Sequence, residues 1–132
     1  MLFREVITLE TEKNKYYDIT DKIIEIVNKC QVEEGFCNIF VPATTAGFII
    51  NENDRMLIED FRMLLDKIAP EDKSYSHQSN AFSHLRAAIT RNETTIPISK
   101  GELVLGTWQS IMFWEFDVNP RTRKVIITVS GD

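Results

Sequence analysis

The sequence predicts an α+β fold with antiparallel strands, and three observations carry that reading. Runs rich in β-formers occupy both ends of the chain, and residues 121–130 alternate cleanly. Apolar residues at helical spacing are confined to the middle. No internal repeat, low-complexity segment or linker interrupts the 132 residues, so 1–132 reads as a single domain. A chain of this length buries roughly two-thirds of its unfolded surface and needs no disulfide or metal to fold.

The elements follow in order. Residues 2–10, L-F-R-E-V-I-T-L-E, predict a strand, and Tyr16 and Tyr17 a brief second one. Thr20 is placed to cap a helix, with Ile19 and Ile24 as a hydrophobic staple. Ile23, Val27 and Cys30 form its apolar stripe, and Gly35 ends the polar turn after it. Residues 36–42 and 48–51 predict strands on either side of the small-residue loop A-T-T-A-G, 43–47. Asn53 or Asp54 then caps a helix whose stripe is Leu57, Phe61, Leu64, Leu65 and Ile68, stopped by Pro70. A third helix runs from about Ser79, as cap, to Thr90. After a turn at Lys100-Gly101, residues 102–105 and 107–117 predict strands. Gln109, Ile111, Phe113, Glu115 and Asp117 share one face of the second; Trp108, Ser110, Met112, Trp114 and Phe116 share the other. Asn119-Pro120 turns the chain into a final strand with Val125, Ile127 and Val129 on one side.

Composition bounds the function. The net charge of −5 argues against a nucleic-acid partner, which wants a basic surface. No apolar run approaches the 18 or so residues a membrane span needs, and the start M-L-F-R-E-V lacks a signal core. A cytoplasmic protein with free thiols is the expectation, with Cys30 and Cys37 as small core residues.

The chemistry-bearing residues gather around S-H-Q-S-N-A-F-S-H-L, 76–85, which holds both histidines. Asn80 and His84 lie one turn apart on the third helix. His77 and His84 are seven apart, about 10 Å on one continuous helix, too far for shared ligation. Joint binding of a divalent ion (Zn or Mg) therefore requires His77 to lie in the loop and fold back. The plain alternative is two histidines satisfied locally. Glu52 is a candidate base or ligand beside Asn51, and Asp60 lies on the next helix; both also read as solvated charges. Thr44 and Thr45 offer hydroxyls and backbone N–H groups to phosphate oxygens, or simply make a turn. Gln109 is placed to bind a ligand where Gly106 lets the backbone approach, while Trp108 and Trp114 read as core or interface aromatics. Glu115 reads as the partner of Arg121 or Arg123 across the hairpin, a pair of little worth if exposed. Arg121 is open between that pairing and anion binding.

The blocks A-T-T-A-G-F-I-I-N-E-N-D (43–54), H-Q-S-N-A-F-S-H-L (77–85) and G-E-L-V-L-G-T-W-Q-S-I (101–111) together resemble the YjbQ-like family, named in part for a secondary thiamine-phosphate synthase activity. The resemblance covers nearly the whole chain. It implies a β-sandwich with packed helices, assembled as a homotrimer, and a pocket with histidines near a subunit boundary. It implies a transferase activity joining a pyrimidine diphosphate to a thiazole phosphate with loss of pyrophosphate. On that basis His84 and Glu52 are the expected catalytic groups. His77 and His84 are the expected metal ligands. Thr44, Thr45, Asn51, Asn80, Gln109 and Arg121 are the expected contacts to a small phosphorylated ligand.

One position departs from the pattern. Where the family pattern has a histidine before T-T-A, this chain has Ala43. Alanine neither ligates a metal nor transfers a proton. The rival expectation is therefore a non-catalytic metal- or anion-binding module on the same fold. A third, resting only on the mixture of His and Glu, is a metal-dependent hydrolase.

Overall fold

The computed structural model describes residues 1–132 as eight strands and three helices. In order these are β1 (Leu2–Thr11), β2 (Tyr16–Asp18), α1 (Thr20–Cys30), β3 (Glu34–Phe40), β4 (Ala46–Asn51) and α2 (Arg55–Ile68). Then come α3 (Ala81–Ile89), β5 (Glu93–Ser99), β6 (Glu102–Leu103), β7 (Ser110–Glu115) and β8 (Arg121–Gly131). The strands form two sheets with antiparallel pairing throughout, ordered β1-β8-β3-β5-β6 and β2-β7-β4. No helix is long and apolar enough to cross a membrane.

The larger core lies between the sheets. Alternation drives it: Val125, Ile127 and Val129 of β8 are fully buried, as their period-2 spacing predicts. They join Cys37 and Ile39 of β3, Phe48 of β4, Ile111 and Phe113 of β7, and Ile23, Ile26 and Val27 of α1. Phe48 and Phe113 meet edge to face at 5.8 Å. Both cysteines are free and buried; burial pushes the Cys37 thiol up to about 12. Gly35 is where β3 passes closest to β8, since a Cβ there would stand 2.0 Å from the Ser130 carbonyl oxygen.

β7 belongs to two cores. Its other face carries Met112 and Trp114, which with Phe116 pack under Ile58 and Leu65 of α2 and Ala87 of α3. That is why every residue from Ile111 to Asp117 is buried. The strand is shorter than the predicted 107–117. Trp108 and Gln109 alternate like strand residues but lie in a turn, where the Gly106 N–H donates to Gln109 Oε1 at 2.8 Å. Trp108 is therefore no core residue; it is 72% exposed. β6 likewise ends at Leu103, because Leu105 N–H turns back to the Leu103 carbonyl.

The helix ends correct three expectations. Thr20 does not cap α1: Asp18 Oδ1 accepts from the Thr20 N–H (3.0 Å) and hydroxyl (2.6 Å). The Thr20 oxygen instead accepts from Ile111 N–H, tying α1 to β7. The staple fails as well, since Ile19 is buried while Ile24 faces solvent. Of the two candidates for α2, Asp54 is the cap, accepting from Leu57 N–H at 3.0 Å. For α3 the cap position is Asn80, not Ser79, which sits at φ 76 just before it. The α2 stripe is wider than its contact: Leu65 is buried and Phe61 partly so, but Leu64 and Ile68 face solvent with Met56 and Met63.

Candidate functional site

At one end of the sandwich three segments converge: the loop between β3 and β4, the start of α3, and the turn from β7 into β8. They line an open, largely polar pocket of about 450 Å³ that includes Ala43, Thr44, Thr45, Asn80, His84 and Arg121. Asp117 and Arg123 complete its floor.

The floor is an ion-pair network. Glu115 is completely buried, and Arg123 grips it with Nε–Oε1 at 2.7 Å and Nη2–Oε2 at 2.6 Å. Thr11 Oγ1 donates to the same carboxylate at 2.6 Å, and the Asp117 N–H at 3.1 Å. A buried charge is tolerable only with this degree of pairing and hydrogen bonding. The expected structural pair of Glu115 is present, and because it is buried the small worth of an exposed pair does not apply. Its partner is Arg123, one of the two expected.

Arg121 pairs one step outward with Asp117, with Nε–Oδ2 at 2.8 Å and Nη2–Oδ2 at 2.6 Å. Asp117 Oδ1 also accepts from Val118 N–H at 2.8 Å and from the Asn80 amide at 3.3 Å. Burial opposes ionisation of this carboxyl. The Val118 N–H, the Asn80 amide and the Arg121 guanidinium outweigh it and hold Asp117 below the usual carboxylate range. Thr45 joins the two pairs: it accepts from Arg123 Nη2 at 2.9 Å and donates to Asp117 Oδ2 at 3.4 Å. Buried Asp117 thus fixes Arg121 by Nε and one Nη, while the Arg121 side chain stays nearly half exposed at the pocket. A guanidinium held this way is a ready partner for a phosphate oxygen.

His77 does fold back. Its ring lies 4.9 Å from that of His84, centroid to centroid. The two imidazoles nonetheless open on different surfaces, since His77 lines a neighbouring depression with Glu71 and Tyr75. No group of three or more His, Cys, Asp or Glu side chains suited to a metal comes together. A catalytic zinc ordinarily takes three protein ligands and a water. Two imidazoles with Ala43 beside His84 do not fit that donor set within one chain.

The remaining candidates lie elsewhere. Asn51 and Glu52 are at the opposite end of β4 from Thr45, with Asn51 roughly 20 Å away at the rise of a strand. Asn51 pairs in register with Ser110, and Glu52 and Gln109 are the next residues beyond that end of the two strands. Asn51 Oδ1 accepts the Glu52 N–H at 2.8 Å. Asp60 is on the solvent side of α2. The single chain therefore separates the expected residues into two groups. Thr44, Thr45, Asn80, His84 and Arg121 are at one end; Asn51, Glu52 and Gln109 are at the other.

The family model for UPF0047 protein YjbQ-like matches residues 5–132. The chain belongs to the YjbQ-like UPF0047 family. A UPF0047 protein of Archaeoglobus fulgidus is 41% identical over 125 residues, covering 92% of this chain and 96% of that protein. One of Methanothermobacter thermautotrophicus is 36% identical, covering 98% and 96%. Among solved structures, a YbjQ-like protein of unknown function from Sulfolobus solfataricus superposes with a TM-score of 0.91 at 30% identity over the whole of both chains. A hypothetical protein of Aeropyrum pernix gives 0.92 at 31%, covering 98% of this chain and 99% of that one. These matches bear out the family resemblance and its α+β fold.

Asp117, Arg123 and Asn92 also line the pocket, and the sequence did not mark them as site residues. A signal was present for two. Glu115 and Asp117 share a strand face with Ile111 and Phe113, so carboxylates fall on a core face, and such carboxylates call for cations nearby.

Proposed function

We propose that this protein binds a small phosphorylated ligand in the pocket around Arg121, within a homotrimer. The observation that carries it is the Asp117–Arg121 pair, which holds a guanidinium at the pocket rim beside Thr44, Asn80 and His84. Thr44 and Asn80 supply neutral donors and His84 a ring nitrogen. Arg121 and Arg123 are each matched by a buried carboxylate, so the floor is close to neutral. That balance suits one phosphate group better than a free pyrophosphate. The cytoplasmic location expected for two free thiols belongs to the same proposal.

Exposed apolar side chains support an assembly. Met56, Met63, Leu64 and Ile68 of α2 and Leu85 and Ile89 of α3 face outward in the single chain, and such patches mark contact surfaces. Trp108 adds a large exposed ring next to Gln109.

A second reading is thiamine-phosphate synthesis as a side activity. It is favoured by the division of the expected residues between opposite ends of β4. A head-to-tail ring brings one end of each subunit against the other end of its neighbour. Glu52 of one copy then stands beside His84 of the next, where its carboxylate stabilises the positive charge that develops as pyrophosphate leaves. The single chain offers only two imidazoles, so a divalent ion that neutralises the leaving pyrophosphate in this reading is held mainly by oxygen ligands, as suits Mg²⁺.

Light scattering and a product assay on mixed subunits test both. The expected results are a trimeric mass and partial recovery of thiamine phosphate formation when inactive Glu52→Gln and His84→Ala chains are mixed. A monomeric mass would contradict the assembly. Wild-type turnover with no recovery on mixing would contradict the shared site. No wild-type turnover would remove the synthase reading and leave the binding reading.

A further inference from the structure

Under α2, away from the Arg121 pocket, lies a second and smaller cavity of about 70 Å³. Asn14, Arg62, Asp66, Arg86, Trp114 and Phe116 line it. Two buried side-chain polar atoms in this protein have no hydrogen-bond partner, and both belong to residues of this wall: Trp114 Nε1 and Asn14 Oδ1. Trp114 is only 1% exposed. An indole N–H buried to that extent normally finds an acceptor.

The wall is also rich in unused donors. Each guanidinium carries five N–H groups. Arg86 is 5% exposed and donates Nε to the Ala69 carbonyl at 3.0 Å and Nη2 to Asp66 at 2.8 Å. Arg62 donates Nη1 to the Asn14 carbonyl, and its carboxylate neighbour Glu59 stands off at 3.7 Å. The Arg62 guanidinium carbon lies 5.1 Å from the Trp114 ring centroid, so this cation sits against the orphaned indole. The two guanidiniums have carboxylate partners, Asp66 at 2.8 Å and Glu59 at 3.7 Å, and both carboxylates are 72% exposed and largely screened.

We propose that this cavity binds one small monovalent anion of halide or formate size. The anion accepts from Trp114 Nε1–H and from free N–H groups of Arg62 and Arg86. Asn14 turns its amide so that the NH₂ end faces the anion; the two ends of an amide are nearly isosteric. The volume admits a few heavy atoms and no organic phosphate. Water would satisfy Trp114 and Asn14 equally well, since one water needs only about 10–15 Å³ of such space; an anion in addition pairs with two guanidiniums whose own carboxylates are mostly exposed to solvent. The bound anion links the turn at Asn14, β7, α2 and α3 at one point.

The test uses ¹⁵N-labelled full-length protein and the two indole N–H resonances. The protein is exchanged into a zwitterionic buffer without small anions and titrated with sodium chloride, then with sodium formate. Sodium sulfate holds the ionic strength. The expected result is a saturable movement of the Trp114 resonance while that of exposed Trp108 stays still. Arg62→Gln weakens the apparent affinity at least tenfold, and Arg62→Lys retains most of it. A Trp114 resonance that does not move saturably in the wild type overturns the proposal and leaves a water-filled cavity. An equal response in Arg62→Gln overturns it too. If Arg62→Gln does not fold, the wild-type titration and Arg62→Lys decide: retained saturable movement supports the anion, and its absence excludes it.

Discussion

Asp18 and Asp117 stand at opposite ends of the three-stranded sheet, and both are held below the usual carboxylate range. Burial opposes ionisation in each case. The donors that overcome it differ. Asp18 is met by the Thr20 hydroxyl and N–H, the Asn53 amide and Ser110, all neutral. Asp117 is met by a backbone N–H, an amide and the guanidinium of Arg121. Neutral donors fix a turn and spend their hydrogen bonds within it. A cation fixed by a buried carboxylate still has N–H groups to offer a ligand. The same local device thus holds a turn at one end and a half-exposed guanidinium at the pocket rim at the other.

Removing a buried charge is expected to have the largest effect. Glu115→Ala leaves Arg123 without its carboxylate, and loss of one partner of a buried pair costs about 3–5 kcal/mol. Urea unfolding should show a loss of that order; a loss below about 1 kcal/mol would mean that the pair is effectively solvated.

Asp117→Asn sharpens the comparison. It keeps the shape but removes the charge that holds Arg121, with an expected loss of about 1.5–3 kcal/mol at neutral pH, as for hydrogen bonds to a charged group. The pH dependence follows in sign. The folded-state pKa lies below the ordinary 3.8, so the stabilisation is fully present above that value. It is lost as the pH falls below 3.8 through the folded pKa. Acid titration of stability should therefore be shallower in Asp117→Asn than in the wild type; an identical slope would contradict the assignment.

Asp18→Ala should cost less, about 1 kcal/mol, because it removes neutral donors' bonds at an exposed turn. Gln109→Ala should fall within about 0.5 kcal/mol, since it breaks one exposed bond to Gly106. Thermal melts rank the two, and a larger effect at Gln109 would show that its loop is buried against a second copy.

The sequence made much of the fold legible where burial is one-sided. β1, β2, β3 and β8 follow from alternation or β-rich composition, and α1 and α2 from apolar spacing. β7 was harder. It is covered on both faces, so its alternation carries no polar side, and Trp108 and Gln109 extend the pattern into a turn. The α3 start was misplaced by one residue because Ser79 is a good cap by type, yet the chain there adopts φ 76. At the pocket, Thr45, Asn80, His84 and Arg121 were legible from motif and residue chemistry. Asp117 and Arg123 were marked only by carboxylates falling on a core face, because their pairing depends on how the chain passes from β7 in one sheet to β8 in the other. The distance between Glu52 and His84 was also hidden, since sequence spacing does not show that β4 runs away from the pocket.

On the proposed reading, the guanidinium of Arg121 held by Asp117 makes the pocket an anion site. Calorimetric titration of wild type and Arg121→Gln with thiamine phosphate tests it most directly. The account predicts saturable binding to the wild type and at least a tenfold weaker Kd for Arg121→Gln, the loss expected for a charge-assisted hydrogen bond. Equal affinity in the two proteins, or no binding to the wild type, would contradict it.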